Sequence, residues 1–163
     1  MTDDAVPAAA IAAAMRAVEG LHARLPGDDL DREIALAIDF DIWGRGTLTH
    51  AVMLLIGVAF SVIKTPDDEP TLGHRIVGAA VNALRSLELP EVPDEVLPTL
   101  AGGLTAAAFG QDVHGWRASL GSIPDSETLP WTYACYVVVG FVDDYLGPGE
   151  FGQIVAQITE GRA

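Results

Sequence analysis

Two histidines raise the question of chemistry first. Thr47-Leu48-Thr49-His50 and Thr71-Leu72-Gly73-His74 both read Thr-Leu-x-His ahead of an apolar run, twenty-four residues apart. Each threonine is a candidate helix cap, which places each histidine in the first turn of a helix. A neutral imidazole can ligate a metal or act as a base, so two rings brought together would make a site. Consecutive helices joined by a short loop run antiparallel, however. For helices of this length that sends the two N-termini to opposite ends, roughly 25 Å apart. The motif is therefore expected to reflect repeated capping by independent helices with partly buried histidines, and no metal is assigned to it.

Other groupings are weaker. Asp39-Phe40-Asp41-Ile42-Trp43 puts an acid at the end of an apolar stripe beside a tryptophan. Asp41 and Trp43 can line a pocket, or mark where a helix leaves the core. Glu19-Gly20-Leu21-His22 is an E-x-x-H, the unit that di-iron carboxylate bundles use twice, but no second copy exists here. Asp143-Asp144-Tyr145-Leu146-Gly147 resembles only the first half of the D-D-x-x-D of isoprenoid synthases; its fifth position is glycine, and the chain is far too short for that fold. Trp131, Tyr133, Tyr136 and Phe141 concentrate aromatic surface in one segment, suited to a core, an interface or a pocket wall. There is no G-x-S-x-G, Walker loop or C-x-x-C. No catalytic residue and no cofactor is predicted.

The elements that would position these residues read as helices. Ile11, Met15, Val18, His22 and Leu25 share one face of a helix over 7–25, started by Pro7 and ended by Pro26-Gly27. Asp28 or Asp29 can cap a second, with Leu30, Ile34 and Asp41 on its stripe. Thr47 is expected to cap a third through Lys64, apolar all round from Ala51 to Ile63 and so buried on most sides. Thr71 is expected to cap a fourth to Leu87. A fifth starts near Asp94 and runs to Phe109, broken by Pro98 and Gly102-Gly103. A short sixth spans Asp112–Leu120, a seventh 129–146, and an amphipathic last helix Glu150–Glu160 carries Phe151. The prediction is an all-α, single-domain bundle of about seven or eight helices around a buried apolar central helix.

Bulk properties narrow the function. The 163 residues carry nine bases against 23 acids, a formal charge of −14, and the excess of acid holds in both halves. No basic cluster can neutralise phosphates, so nucleic acid and anionic membrane surfaces are not expected partners. The most apolar window, Leu48–Ile63, falls short of the ~20 residues a span needs. The lone Cys135 and the acidic N-terminus suit a reducing cytoplasm. The expected function is a non-enzymatic acidic accessory protein that binds a protein partner, a second copy of itself included, with Phe151 on the last helix as an interface candidate. The alternative is a small-molecule binder or enzyme with an apolar pocket between the helices near 47–64 and 129–146. Asp41, Trp43, His50, His74, Trp131 and Tyr133 are the remaining ligand or interface candidates.

Overall fold

The computed structural model describes residues 6–22, 29–30, 32, 44–63, 71–90 and 92–162. Within them lie seven α-helices and no strand: α1 Ala8–His22, α2 Arg45–Val62, α3 Thr71–Leu87, α4 Leu97–Ala108, α5 Val113–Ala118, α6 Thr128–Leu146 and α7 Glu150–Arg162. Short 3-10 turns at Asp94–Val96 and Asp125–Glu127 lead into α4 and α6. The second predicted helix falls almost wholly outside the described residues, with Asp41 and Trp43.

The core is built around α2 and α6, which make the most extensive helix–helix interface. Nine residues of α2 are buried, from Leu48 to Phe60, as its all-round apolar character predicts. By length and composition α2 is also long and apolar enough to cross a membrane. A buried core helix has the same composition, and here α2 packs against α1, α4, α5 and α6. On one flank α1 lies against α2, α6 and α7; on the other, α3 lies against α4 and α6. Alanine-rich α1 buries Ala10, Ala13, Ala14 and Ala17 beside Ile11 and Val18, so small side chains let it approach closely on several sides.

Several boundaries depart from the sequence reading. Helix α2 starts at Arg45, two residues before Thr47, and its cap residue is Gly44, which has no capping side chain. Pro98 does not break α4. It sits in the first turn, where a missing N–H costs nothing. Gly102-Gly103 does not break α4 either, because two tryptophans lie on it. A Cβ on Gly102 would stand 2.5 Å from the Trp116 ring, and one on Gly103 would run into the Trp131 ring. The glycines are what allows the outer edges of both indoles to reach the helix backbone.

Candidate functional site

The described polar groups of the interior collect at one end of the bundle. There the starts of α2 and α6 meet α5 and the turn before α6. Arg117 donates through Nε to Glu127 Oε1 (2.9 Å) and through Nη2 to Glu127 Oε2 (2.7 Å), a two-point fork. Its Nη1 and Nη2 also reach the carbonyls of Gly121 and Ser122 at 3.3 Å. Trp131 Nε1 donates to Glu127 Oε1 at 3.0 Å. The Arg117 and Glu127 side chains are only 9% and 13% exposed. The guanidinium, with some help from the indole, holds the Glu127 carboxyl below the usual carboxylate range, against the opposing effect of burial. Arg117 is raised in turn, by Glu127.

Beside this fork Thr49 Oγ1 lies 2.8 Å from Thr128 Oγ1, both fully buried. Thr49 donates its proton to the Arg45 carbonyl, so Thr128 is the donor across the pair. Thr132 donates to the Thr128 carbonyl. These hydroxyls and the fork satisfy one another within the chain. What they do is fasten α5 and the start of α6 to α2.

The histidines are divided between partners. His50 on α2 stacks on His114 of α5, with ring centroids 3.7 Å apart and planes 13° from parallel. His74 meets Phe109 edge-on at 4.9 Å. The two histidines thus meet different rings, but Phe109 and His114 are only five residues apart, so the starts of α2 and α3 lie toward one end of the bundle and not at opposite ends as an antiparallel pair would place them. Sequence reading also missed His114, since nothing in Asp112–Leu120 marks it. Among the described residues, no group of three His, Cys, Asp or Glu side chains is placed to hold a metal.

Trp131, Tyr133 and Phe151 are buried: Trp131 on α4 as above, Phe151 with no exposed surface. Phe151 is one of the residues that seat α7 on its own bundle, against α1 and α6. Burial pushes the thiol of Cys135, also without exposed surface, far up.

A space for a ligand lies toward the other end of α6, roughly 12–24 Å along the helix from Thr128. Helices α1 and α3 both rest on α6 but share no comparable interface with each other. Between them opens a cleft of about 1000 Å³, open to solvent. Its apolar wall is formed by Met15, Ala83, Leu87, Val137, Val139 and Phe141, with Tyr136 beside them. The α6–α7 turn closes the bottom. Asp143 Oδ1 accepts from the Phe151 N–H at 3.1 Å, and Gly147 and Gly149 take positive φ. Gly140 and Gly152 also line the cleft, and a Cβ on either would meet nothing within 4 Å. The described charged residues of the lining are Glu19, Asp143 and Asp144; no lysine or arginine is among them. The α2–α6 interface, where the sequence places a pocket, carries buried apolar side chains from both helices.

Compared with protein-family models, with curated proteins and with solved structures, the chain matches none of them.

Proposed function

We propose that this chain is a non-enzymatic binding protein that takes an apolar segment of a partner protein into the cleft between α1, α3, α6 and α7. The observation that carries this reading is the cleft itself: about 1000 Å³, open to solvent, with an apolar wall among the described residues. Leu87 stands 48% exposed at its edge, and Tyr145, 55% exposed, stands on the adjoining turn of α6. Uncovered apolar surface of this kind, rimmed by polar groups, is how interaction sites look. The polar end of the bundle supports the reading indirectly, because its hydrogen-bonding groups are occupied by one another.

A small apolar molecule in the same cleft is the second reading. Its support is the volume, at the upper end of the range, about 300–1000 Å³, that ligand pockets occupy.

Native mass spectrometry of the protein recovered from its own host separates the two. The expected result is a second polypeptide on the wild type that is lost from Gly140→Leu, a variant that plugs the cleft. An added mass of small-molecule size favours the second reading, and a multiple of the 17.1 kDa chain identifies the partner as another copy. A partner retained by Gly140→Leu places binding elsewhere and overturns the assignment to the cleft.

A further inference from the structure

We infer that the occupant of the cleft is a basic amphipathic helix of another protein, laid with its apolar face on α6 and its cations toward Glu19, Asp143 and Asp144. The inference rests on the cleft being the binding surface. It adds the chemistry of what binds.

Charge is the first argument. The described lining has three carboxylates and no base. Three helices also bring their C-terminal parts to the cleft. Glu19 is in the last turn of α1, Ser86 and Leu87 end α3, and Asp143 and Asp144 lie in the last turn of α6. Each helix C-terminus carries a partial negative charge, equivalent to about half an elementary charge. The opposing positive end, at the start of α7, is already capped by Asp143. Arg85, in the last turn of α3, is the nearest base along that helix, and it is not among the lining residues. A second copy of this chain, itself at −14, would meet like charge at this face, and so would an anionic membrane.

Dimension is the second argument. The cleft follows α6 from Tyr136 to Asp144, eight residue steps or roughly 12 Å. An apolar stripe at i, i+3 or i+4, and i+7 of a docked helix is roughly 10.5 Å long. Two turns of helix therefore fit the length of the wall. The solvent-facing mouth leaves the polar side of such a helix in water, and the acids stand where its basic flanks would lie.

The test uses the purified wild-type chain and three fluorescein-labelled peptides of about 18 residues, or five helical turns. One is an amphipathic leucine/lysine helix, one has every lysine replaced by glutamate, and one is the leucine/lysine composition scrambled to destroy the apolar face. Binding is read by fluorescence anisotropy at salt of about 50 mM and about 300 mM, which brackets strong and weak screening. The leucine/lysine helix is expected to bind about tenfold or more tighter than either other peptide. Gly140→Leu, which keeps every charge, is expected to weaken it by a similar factor. Glu19→Gln combined with Asp144→Asn is expected to weaken it and flatten the salt dependence. These positions leave Asp143 to hold the α6–α7 turn. If the lysine and glutamate helices bind alike and Gly140→Leu blocks both, the cleft is a binding site and the inference about charge is wrong. If the scrambled peptide binds as well as the helix, or Gly140→Leu changes nothing, the attraction is nonspecific and both readings fail. Absence of binding by all three overturns both.

Discussion

Glu127→Gln should cost this protein much of its margin of stability, through charge alone. Glutamine has nearly the shape of glutamate, and its Oε1 can still accept from Trp131 Nε1, so the packing of the indole on Gly103 is preserved. What it removes is the anion facing Arg117, whose side chain is 9% exposed. The native fork makes two charge-assisted hydrogen bonds, at 2.7 and 2.9 Å. Removing one member of a buried pair leaves the other charge uncompensated, at a cost of about 3–5 kcal/mol. Arg117 retains the Gly121 and Ser122 carbonyls, so the low end, about 3 kcal/mol, is expected. In a chain of this size that lowers Tm by about 6–12 °C. The effect should depend on pH in one direction. Arg117 holds the Glu127 carboxyl below its unfolded value. A depressed carboxyl contributes stability that is fully present above its unfolded pKa, near 4.3, and that is lost as pH falls through the folded value. Thermal melts followed by circular dichroism at neutral pH and near pH 3 test both halves of the argument. The gap between wild type and variant should be wide at neutral pH and should narrow in acid. A gap under about 2 °C at neutral pH, less than 1 kcal/mol at this size, would refute the burial argument. A gap that stays constant into acid would show that shape, not charge, is what the substitution disturbs.

Three further outcomes follow from the packing. Gly103→Ala should destabilise by about 1–3 kcal/mol through overpacking against Trp131, although alanine is the better helix former. Gly78→Ala, on the exposed face of α3 where an added Cβ meets nothing within 4 Å, should instead stabilise by about 0.5–1 kcal/mol. Paired melts read the opposite signs, and a stabilising Gly103→Ala would contradict the seating of the indole. Cys135, fully buried with its thiol pushed up, should react with a disulfide dye only as fast as the core opens. Stoichiometric labelling of the native protein within the mixing time would show α6 to be less tightly packed than described.

How far the sequence disclosed this structure depends on how local the cause is. Helix existence was legible because the apolar spacing of each segment is a property of that segment. Residues such as Ile11, Met15 and Val18 are buried as their shared face predicts. The polar clamp was not legible. Arg117 and Glu127 are ten residues apart across a turn, and nothing in either neighbourhood marks them as partners. The stacking of His50 on His114 joins positions sixty-four residues apart, a pairing that only the packing of α5 on α2 creates. Gly102-Gly103 reads as a break because the sequence does not show the two indoles that lie on it. The cleft was the hardest to foresee. It is a consequence of where α1 and α3 fail to meet, and a void has no residue of its own.

The glycines on α6 and α7 bear on whether that void is incidental. Gly103 is demanded by its neighbour, and Gly147 and Gly149 by their positive φ. Gly140 and Gly152 are demanded by neither. Gly140 stands inside α6, where glycine costs about 1 kcal/mol relative to alanine, and Gly152 stands in the first turn of α7. An added Cβ at either would meet nothing within 4 Å. A larger apolar residue at either position would gain helix propensity and also bury surface, worth about 0.8 kcal/mol per methylene. Filling the cleft is thus the easy direction for stability, and two positions that could do it with one substitution each have not. Natural chains do carry unimproved positions, so a single spare glycine would signify little. Gly57 and Gly78 are equally spare helical glycines and lie outside the cleft, so the proposal that Gly140 and Gly152 make room for an occupant is decided by whether filling them abolishes peptide binding.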